Sequence, residues 1–119
     1  MSTRKKAAPS AQTLLYDKLI AINPEIERKG DANPYTSVNG NMFTLLHQLR
    51  LAIRLPEDER EKFLNKYKTG LFEAYGTIMP EYVTVPDKLL ENTKELKKYL
   101  DVSFAYAKTL RPKPTKKKR

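Results

Sequence analysis

The sequence predicts an α+β fold with a five-stranded antiparallel sheet, in the element order α-βββ-α-ββ-α. One segment alternates strictly between apolar residues and others, which is typical of a strand with one buried face. Other segments repeat apolar residues at steps of three and four, which is typical of amphipathic helices. Prolines and turn-forming dipeptides separate the segments. With 119 residues, the chain has the size of one domain.

The first helix is predicted to begin after Ser10, a residue type that caps helix N-termini. Residues 1–9 before it are predicted to be a disordered basic arm. Asn23-Pro24 ends the helix, because proline disfavours helical conformation at the residue before it. The apolar stripe of this helix is predicted to consist of Leu14, Leu15, Leu19 and Ile22.

A meander of three antiparallel strands is predicted next. Residues 35–38 lead into Asn39-Gly40, the dipeptide best suited to the positive φ angles of a tight hairpin turn. Residues 41–46 form the returning strand, and a second reversal near His47-Gln48 leads into residues 49–55.

The third strand of this meander has the clearest alternation. The residues predicted to share one of its faces are Leu49, Leu51, Ile53 and Leu55. The opposite face is predicted to carry Arg50, Ala52 and Arg54. The two arginines would lie about 13 Å apart. If their face is open, they could meet phosphates or an acidic partner; the alternative is that they pair with Asp or Glu on a neighbouring element.

A second helix is predicted after Pro56, because Glu57, Asp58 and Glu59 would face the positive end of its dipole. Gly70 lies just beyond its end, where glycine is common. The side chains predicted to point inward are Phe63, Leu64 and Tyr67.

Two strands, residues 71–74 and 82–85, are then predicted around Gly76 and Pro80. A short helical turn begins near Asp87, and a last helix begins at the capping residue Thr93. Its apolar stripe is predicted to be Leu96, Leu100 and Phe104, with Tyr99, Tyr106 and Leu110 beside it. Arg111-Pro112 ends this helix, so the domain is predicted to span residues 10–110.

Several blocks of this sequence resemble the TfoX/Sxy N-terminal-domain-like family. They are residues 39–43, 51–56 and 79–86. Residues 33–37 and 113–118 resemble short bacterial members of the family that carry this domain alone. The resemblance covers roughly residues 11–110 and depends on the order of all the blocks together.

The resemblance implies a curved antiparallel sheet, as in secretion-chaperone-like and YjbR-type domains. The family is named after regulators of natural competence, which act on transcription. It therefore also implies an accessory or regulatory role related to transcription.

The charge of the chain is concentrated at its two ends. Its 23 Lys and Arg against 14 Asp and Glu give a formal net charge of +9. Nine of the basic residues lie in the arm and in residues 111–119, so the body between them is formally neutral. Residues 111–119 are predicted to be a disordered basic tail that could track a phosphate backbone without reading its sequence. The alternative is that both ends serve solubility alone.

The predicted nucleic-acid-binding residues are Arg4, Lys5, Lys6, Arg50, Arg54, Arg111, Lys113, Lys116, Lys117, Lys118 and Arg119. The alternative function is a protein–protein interaction or dimerisation module, in which a sheet edge or face binds a protein partner or a second copy.

No catalytic, cofactor or metal site is predicted, and the chain is predicted not to be an enzyme. It has no cysteine, and its one histidine, His47, falls in a predicted turn with a solvated side chain. No apolar run is long enough to cross a bilayer. We therefore expect a cytoplasmic protein with neither a membrane nor a small-molecule partner; a well-formed pocket holding an unexpected ligand would reopen the possibility of an enzyme.

Overall fold

A computed structural model describes residues 10–30 and 33–112, and these form an α+β domain. Its sheet has five strands in the spatial order β1-β2-β3-β5-β4, and all neighbouring strands are antiparallel. The predicted fold class is confirmed, and the predicted helical turn near Asp87 is a helix of its own. The elements are α1 (Ala11–Ala21), β1 (Tyr35–Val38), β2 (Asn41–His47), β3 (Arg50–Arg54), α2 (Glu57–Tyr67), β4 (Leu71–Ala74), β5 (Thr77–Val85), α3 (Asp87–Glu91) and α4 (Thr93–Thr109).

Two tight turns connect the first three strands. Asn39 and Gly40 have φ angles of 54° and 80°, as the predicted turn requires. The next turn is formed by Gln48 and Leu49, with φ angles of 52° and 65°. Leu49 was predicted in the strand but lies in this turn and is exposed, because the reversal comes one residue later than the sequence pattern indicates.

The helices cover one face of the sheet, which we call the helix-covered face. Its large buried side chains include Tyr16, Phe43 and Phe63. An irregularity in the β1–β2 register leaves Phe43 as an extra residue, and its ring packs against Phe104 of α4 at 5.5 Å between centroids. Because of this bulge, a side chain that would point away under simple alternation joins the main core.

A buried chain of hydroxyl groups fixes α1 on this face. The Tyr16 hydroxyl lies 2.7 Å from Thr44 Oγ1, which lies 2.6 Å from Thr36 Oγ1. The predicted stripe of α1 was therefore partly wrong: Tyr16, Leu19 and Ile20 are its buried residues, whereas Leu14 and Ile22 are exposed. The tyrosine can be buried because its hydroxyl has polar partners there.

The opposite face is covered by a β-hairpin, and we call it the hairpin-covered face. Leu71 of β4 opposes Val83 of β5, but Phe72 opposes Met79, so residues 80–82 are extra on β5. Pro80, which has no N–H to donate, lies in this bulge. β5 is therefore longer than predicted.

Beyond the bulge, the hairpin reaches across to the β2–β3 turn. The residues that it buries there are Leu45, Ala52, Phe72 and Ala74. Ala52 lies on the same face as the two arginines, as predicted, and the hairpin buries it fully. The hairpin buries Ala52 through contacts between segments that are distant in the sequence, and the alternation pattern of a single strand cannot predict such contacts.

One helix end agrees with the prediction and two differ from it. Ser10 caps α1, as predicted, by accepting from the Thr13 N–H at 3.0 Å. The cap of α4 is Asn92 rather than Thr93, and its side chain accepts from the Glu95 N–H. At the end of α2, Lys68 rather than a glycine adopts the left-handed conformation.

Candidate anion-binding pocket

Most of the predicted nucleic-acid-binding residues lie outside the described residues. These are Arg4, Lys5, Lys6, Lys113, Lys116, Lys117, Lys118 and Arg119. Arg111 is described and exposed, and its carbonyl accepts a hydrogen bond from Asn41 Nδ2 at 3.0 Å. The start of the basic tail is thus attached to the β1–β2 turn.

Arg54 is held in structural contacts. Its Nε donates to Glu81 Oε1 at 2.6 Å, and its guanidinium lies 5.6 Å from the centre of the Tyr82 ring. Only 16% of its side chain is exposed. Pairing with a carboxylate on a neighbouring strand is the alternative that the sequence left open, and for this arginine it is the observed one.

Arg50 is exposed, in contrast to Arg54. Its guanidinium lies 4.8 Å from the centre of the Phe72 ring and donates to the Glu73 carbonyl at 2.9 Å. It borders an open depression of about 310 Å³ between the two hairpin tips, which is also lined by Tyr75. With one cation beside one carboxylate in its lining, this depression has no marked charge preference.

His47 is not the solvated turn residue that was predicted. It ends β2 and is buried, with its ring 4.5 Å from that of Tyr75 and its Nδ1 3.3 Å from Asn33 Oδ1. Its neighbours are an aromatic ring and an amide, so the contacts give it a packing role. Within the described part of the chain, no group of three His, Asp or Glu side chains could hold a metal ion.

A second pocket, which sequence reasoning did not find, is lined by three lysines. We call it the lysine pocket: a cavity of about 420 Å³ bordered by Lys66, Tyr67, Lys68, Pro86, Lys88, Leu89, Asn92 and Glu95. Lys66 lies in the last turn of α2, Lys68 follows that helix, and Lys88 lies in α3. All three lysines are exposed.

The backbone around the lysine pocket is held by specific contacts. Lys68 has φ and ψ of 52° in a left-handed turn, and its N–H donates to the Leu64 carbonyl. Thr69 Oγ1 donates to the Thr84 carbonyl at 2.8 Å, which ties this turn to β5. The lysines therefore extend from fixed positions, although their side chains are flexible.

One carboxylate borders the pocket, and it already has partners. Glu95 accepts a hydrogen bond from the Tyr67 hydroxyl, and its Oε2 lies 3.5 Å from Lys66 Nζ. The Tyr67 hydrogen bond and the Lys66 charge lower the pKa of Glu95. Burial, together with donation to Glu95, raises the pKa of Tyr67. Near neutral pH, Glu95 is therefore ionised and Tyr67 is a neutral donor.

The charge of the lining favours an anion. Three lysines against one paired carboxylate give the lining residues a formal excess of two positive charges. The sequence signal was weak, because the three lysines come from separate elements and the body as a whole is charge-balanced. The body has no net charge over its sequence, but in the folded domain the lining of this pocket has a local excess of positive charge.

The chain matches no protein-family model, and a search of curated proteins finds no match either. None of the helices within residues 10–30 and 33–112 combines the length and apolar character needed to cross a bilayer.

Proposed function

We propose that this protein is a non-enzymatic accessory domain that associates with nucleic acid without reading its sequence. The observation that carries the proposal is the lysine pocket, whose lining has Lys66 of α2, Lys68 just after that helix and Lys88 of α3 against one carboxylate that is already paired. The basic ends, which account for the net charge of +9, would add further phosphate contacts. A role related to transcription follows from the resemblance to the TfoX/Sxy N-terminal domains, with which the α+β order is compatible.

Contacts of this kind bind the phosphate backbone and do not read bases. Flexible lysine side chains act as point charges, whereas specific readout needs side chains fixed against base edges in a groove. The two arginines on the sheet are engaged instead with Glu81, Glu73 and the Phe72 and Tyr82 rings. The expected binding is weak, sequence-indifferent and strongly dependent on salt.

The test is fluorescence anisotropy with a labelled random-sequence duplex over a salt series. Each phosphate contact contributes a slope of about −0.9 in log affinity against log salt concentration. A tail variant (K113Q/K116Q/K117Q/K118Q/R119Q) should lose several units of slope. A pocket variant (K66Q/K68Q/K88Q) should lose two or three, as about one unit per lysine predicts.

A charge-matched control removes three lysines that do not line the pocket (K18Q/K29Q/K108Q). It should keep more affinity than the pocket variant does. No binding by the wild-type protein near physiological salt would contradict the proposal, as would sequence-specific binding that survives both the tail and pocket changes.

A protein-interaction module is the second candidate. It is favoured by three large apolar side chains that are exposed on the hairpins, Leu49, Tyr75 and Ile78. Sedimentation of the wild-type protein and of an L49S/I78T variant would test it. A wild-type dimer that dissociates in the variant supports this candidate. A wild-type protein that is monomeric at all concentrations would show that the module does not bind a second copy of itself.

A further inference from the structure

We propose that the lysine pocket is a discrete binding site for a phosphate monoester, such as the terminal phosphate of a nucleotide. This inference rests on the proposed function in that it uses the same pocket. It adds a specific ligand chemistry, and it does not depend on the basic arm or tail.

The charge of the pocket matches a dianion. Lys66, Lys68 and Lys88 against Glu95 give the lining a net charge of +2. A phosphate monoester carries a charge of about −1.5 to −2 at pH 7, whereas an internal phosphodiester of nucleic acid carries −1. A monoester can therefore neutralise the pocket by itself, which one backbone phosphate cannot do.

The size of the pocket leaves room for more than a phosphate group. Its volume of about 420 Å³ falls within the range of small-molecule sites, roughly 300–1,000 Å³. Leu89 and Pro86 supply an apolar wall, and Tyr67 adds an aromatic ring. This surface suits the organic part of the ligand, while the lysines hold its phosphate.

The one negative charge in the pocket is neutralised by a lysine, so it does not have to repel a bound phosphate. Glu95 is the one carboxylate in the lining, and it is engaged by Lys66 and by the Tyr67 hydroxyl. Lys68 and Lys88 extend from other elements, so they can contact a phosphate while Lys66 offsets Glu95. Asn92, at the start of α4, adds a side-chain amide that can donate to a phosphate oxygen.

There is a simpler explanation for the lysines. Cations near the end of a helix offset its dipole, and this alone would account for Lys66 in the last turn of α2. It does not require that Lys68 and Lys88 border the same cavity as Lys66. Ligand binding distinguishes the two explanations, because dipole compensation predicts no saturable site.

The experiment is a titration of the full-length, ¹⁵N-labelled protein with adenosine 5′-monophosphate, followed by amide chemical shifts. Parallel titrations use adenosine, which lacks the phosphate, and inorganic phosphate, which lacks the organic part. We expect saturable shifts around Lys68, Lys88 and Asn92 with the monophosphate, weaker binding of inorganic phosphate, and no such shifts with adenosine. Equal binding of adenosine, or shifts confined to the two chain ends, would overturn the proposal.

Three variants provide the controls. The pocket variant K66Q/K68Q/K88Q should bind the monophosphate at least tenfold more weakly, whereas K18Q/K29Q/K108Q should bind it within about twofold of wild type. The charge-preserving variant K66R/K68R/K88R should keep most of the affinity. Since Lys66, Lys68 and Lys88 are all exposed, the two variants of these lysines should keep the spectrum and melting temperature of the wild type. Equal losses of affinity in the pocket and control variants would overturn the site.

Two further arms identify the source of the phosphate. The first arm compares a 5′-phosphorylated tetranucleotide with its 5′-hydroxyl form. If the phosphorylated form binds more tightly than the monophosphate and the hydroxyl form binds more weakly, the natural ligand is the phosphorylated end of a nucleic-acid strand. Binding of the monophosphate but not of the tetranucleotide supports a free small molecule.

The proposed function can fail independently of this site. The tail variant, which should lose duplex affinity, should keep its affinity for the monophosphate. Monophosphate binding without any duplex binding would support the site and contradict the nucleic-acid function. Duplex binding without monophosphate binding would overturn the site and leave the pocket as a general cationic surface.

Discussion

The two faces of the sheet are both apolar, but they are closed in different ways. Helices close the first face with fully buried aromatic and aliphatic side chains such as Tyr16, Phe43 and Phe63. A hairpin closes the second, and the guanidinium groups of Arg50 and Arg54 lie against its aromatic rings. The difference shows that cations on a strand can be part of the packing, since their stems and planar heads cover apolar surface. Arg50 and Arg54, which the sequence suggested as ligand-binding residues, thus pack against the aromatic rings of the hairpin-covered face.

The largest expected effect compares a phenylalanine from each face. Phe63→Ala should lower the free energy of unfolding by about 4 kcal/mol, because the helices around Phe63 cannot close the cavity. Phe72→Ala should lower it by about 3 kcal/mol, because the hairpin can move toward the sheet and fill part of the space. Urea unfolding measures both values. A loss at Phe72 as large as that at Phe63 would mean that the hairpin is held as firmly as the helices.

A second prediction concerns the buried hydroxyl chain of the helix-covered face. Burial raises the pKa of Tyr16 to about 12 from its ordinary value of 10.0. The folded state thus holds this proton more tightly than the unfolded state, so the stability is fully present below pH 10 and is lost as the pH rises through about 12. The loss amounts to roughly 3 kcal/mol, at about 1.4 kcal/mol per unit of pKa.

Unfolding by urea at pH 7, 10 and 12 tests this sign. Tyr16→Phe should cost about 1 kcal/mol at pH 7, where it removes a hydrogen bond to Thr44, and should lose less stability than wild type at high pH. Tyr75→Phe is the control for the loss of one exposed tyrosine. An alkaline loss that is the same in wild type and Tyr16→Phe would contradict the assignment.

The third prediction compares the two arginines of the hairpin-covered face. Arg54→Met should cost about 1–2 kcal/mol, because it leaves Glu81 without its 2.6 Å partner. Arg50→Met should cost less than about 1 kcal/mol, because Arg50 is exposed. A double-mutant cycle of Arg54→Met with Glu81→Gln isolates the pair. A coupling energy near zero would show that Arg54 contributes packing alone.

The smallest expected effect is a gain in stability. Lys68 adopts a left-handed conformation that glycine tolerates better, so Lys68→Gly should raise the free energy of unfolding by about 0.5–1 kcal/mol. Lys66→Gly, inside α2, is the matched control and should lower it by about 1 kcal/mol. Thermal unfolding measures both. Destabilisation by Lys68→Gly would mean that the lysine side chain makes contacts that outweigh its backbone strain.

The parts of the fold that local chemistry determines could be predicted from the sequence. The Asn39-Gly40 turn, the Ser10 cap and the element order required only neighbouring residues. The bulge at Phe43 and the fold-back beyond Pro80 depend on contacts between distant segments, so no alternation pattern reports them. For the same reason the sequence could not show whether the face of Arg50, Ala52 and Arg54 is open, and the hairpin in fact buries Ala52.

The candidate site was harder to predict than the fold. Because the body is formally neutral, the sequence placed most of the predicted cationic contacts at the two ends of the chain, with Arg50 and Arg54 as the exceptions. Lys66, Lys68 and Lys88 are brought together by the junctions of α2, β5, α3 and α4, and no motif of fixed spacing connects them. Net charge is a sum over the chain, whereas a ligand responds to the local arrangement of charges in the folded domain.

Helix α4 sets the distance between the lysine pocket and the start of the basic tail. The lysine pocket lies at the start of this 17-residue helix, and Arg111, held by Asn41, lies just past its end. At a rise of about 1.5 Å per residue, the two points are separated by roughly 25 Å. Along B-DNA, with about 3.4 Å per base pair, this distance corresponds to seven or eight base pairs. Under the proposed function, a duplex shorter than about seven base pairs could not lie along α4 and reach both of its ends.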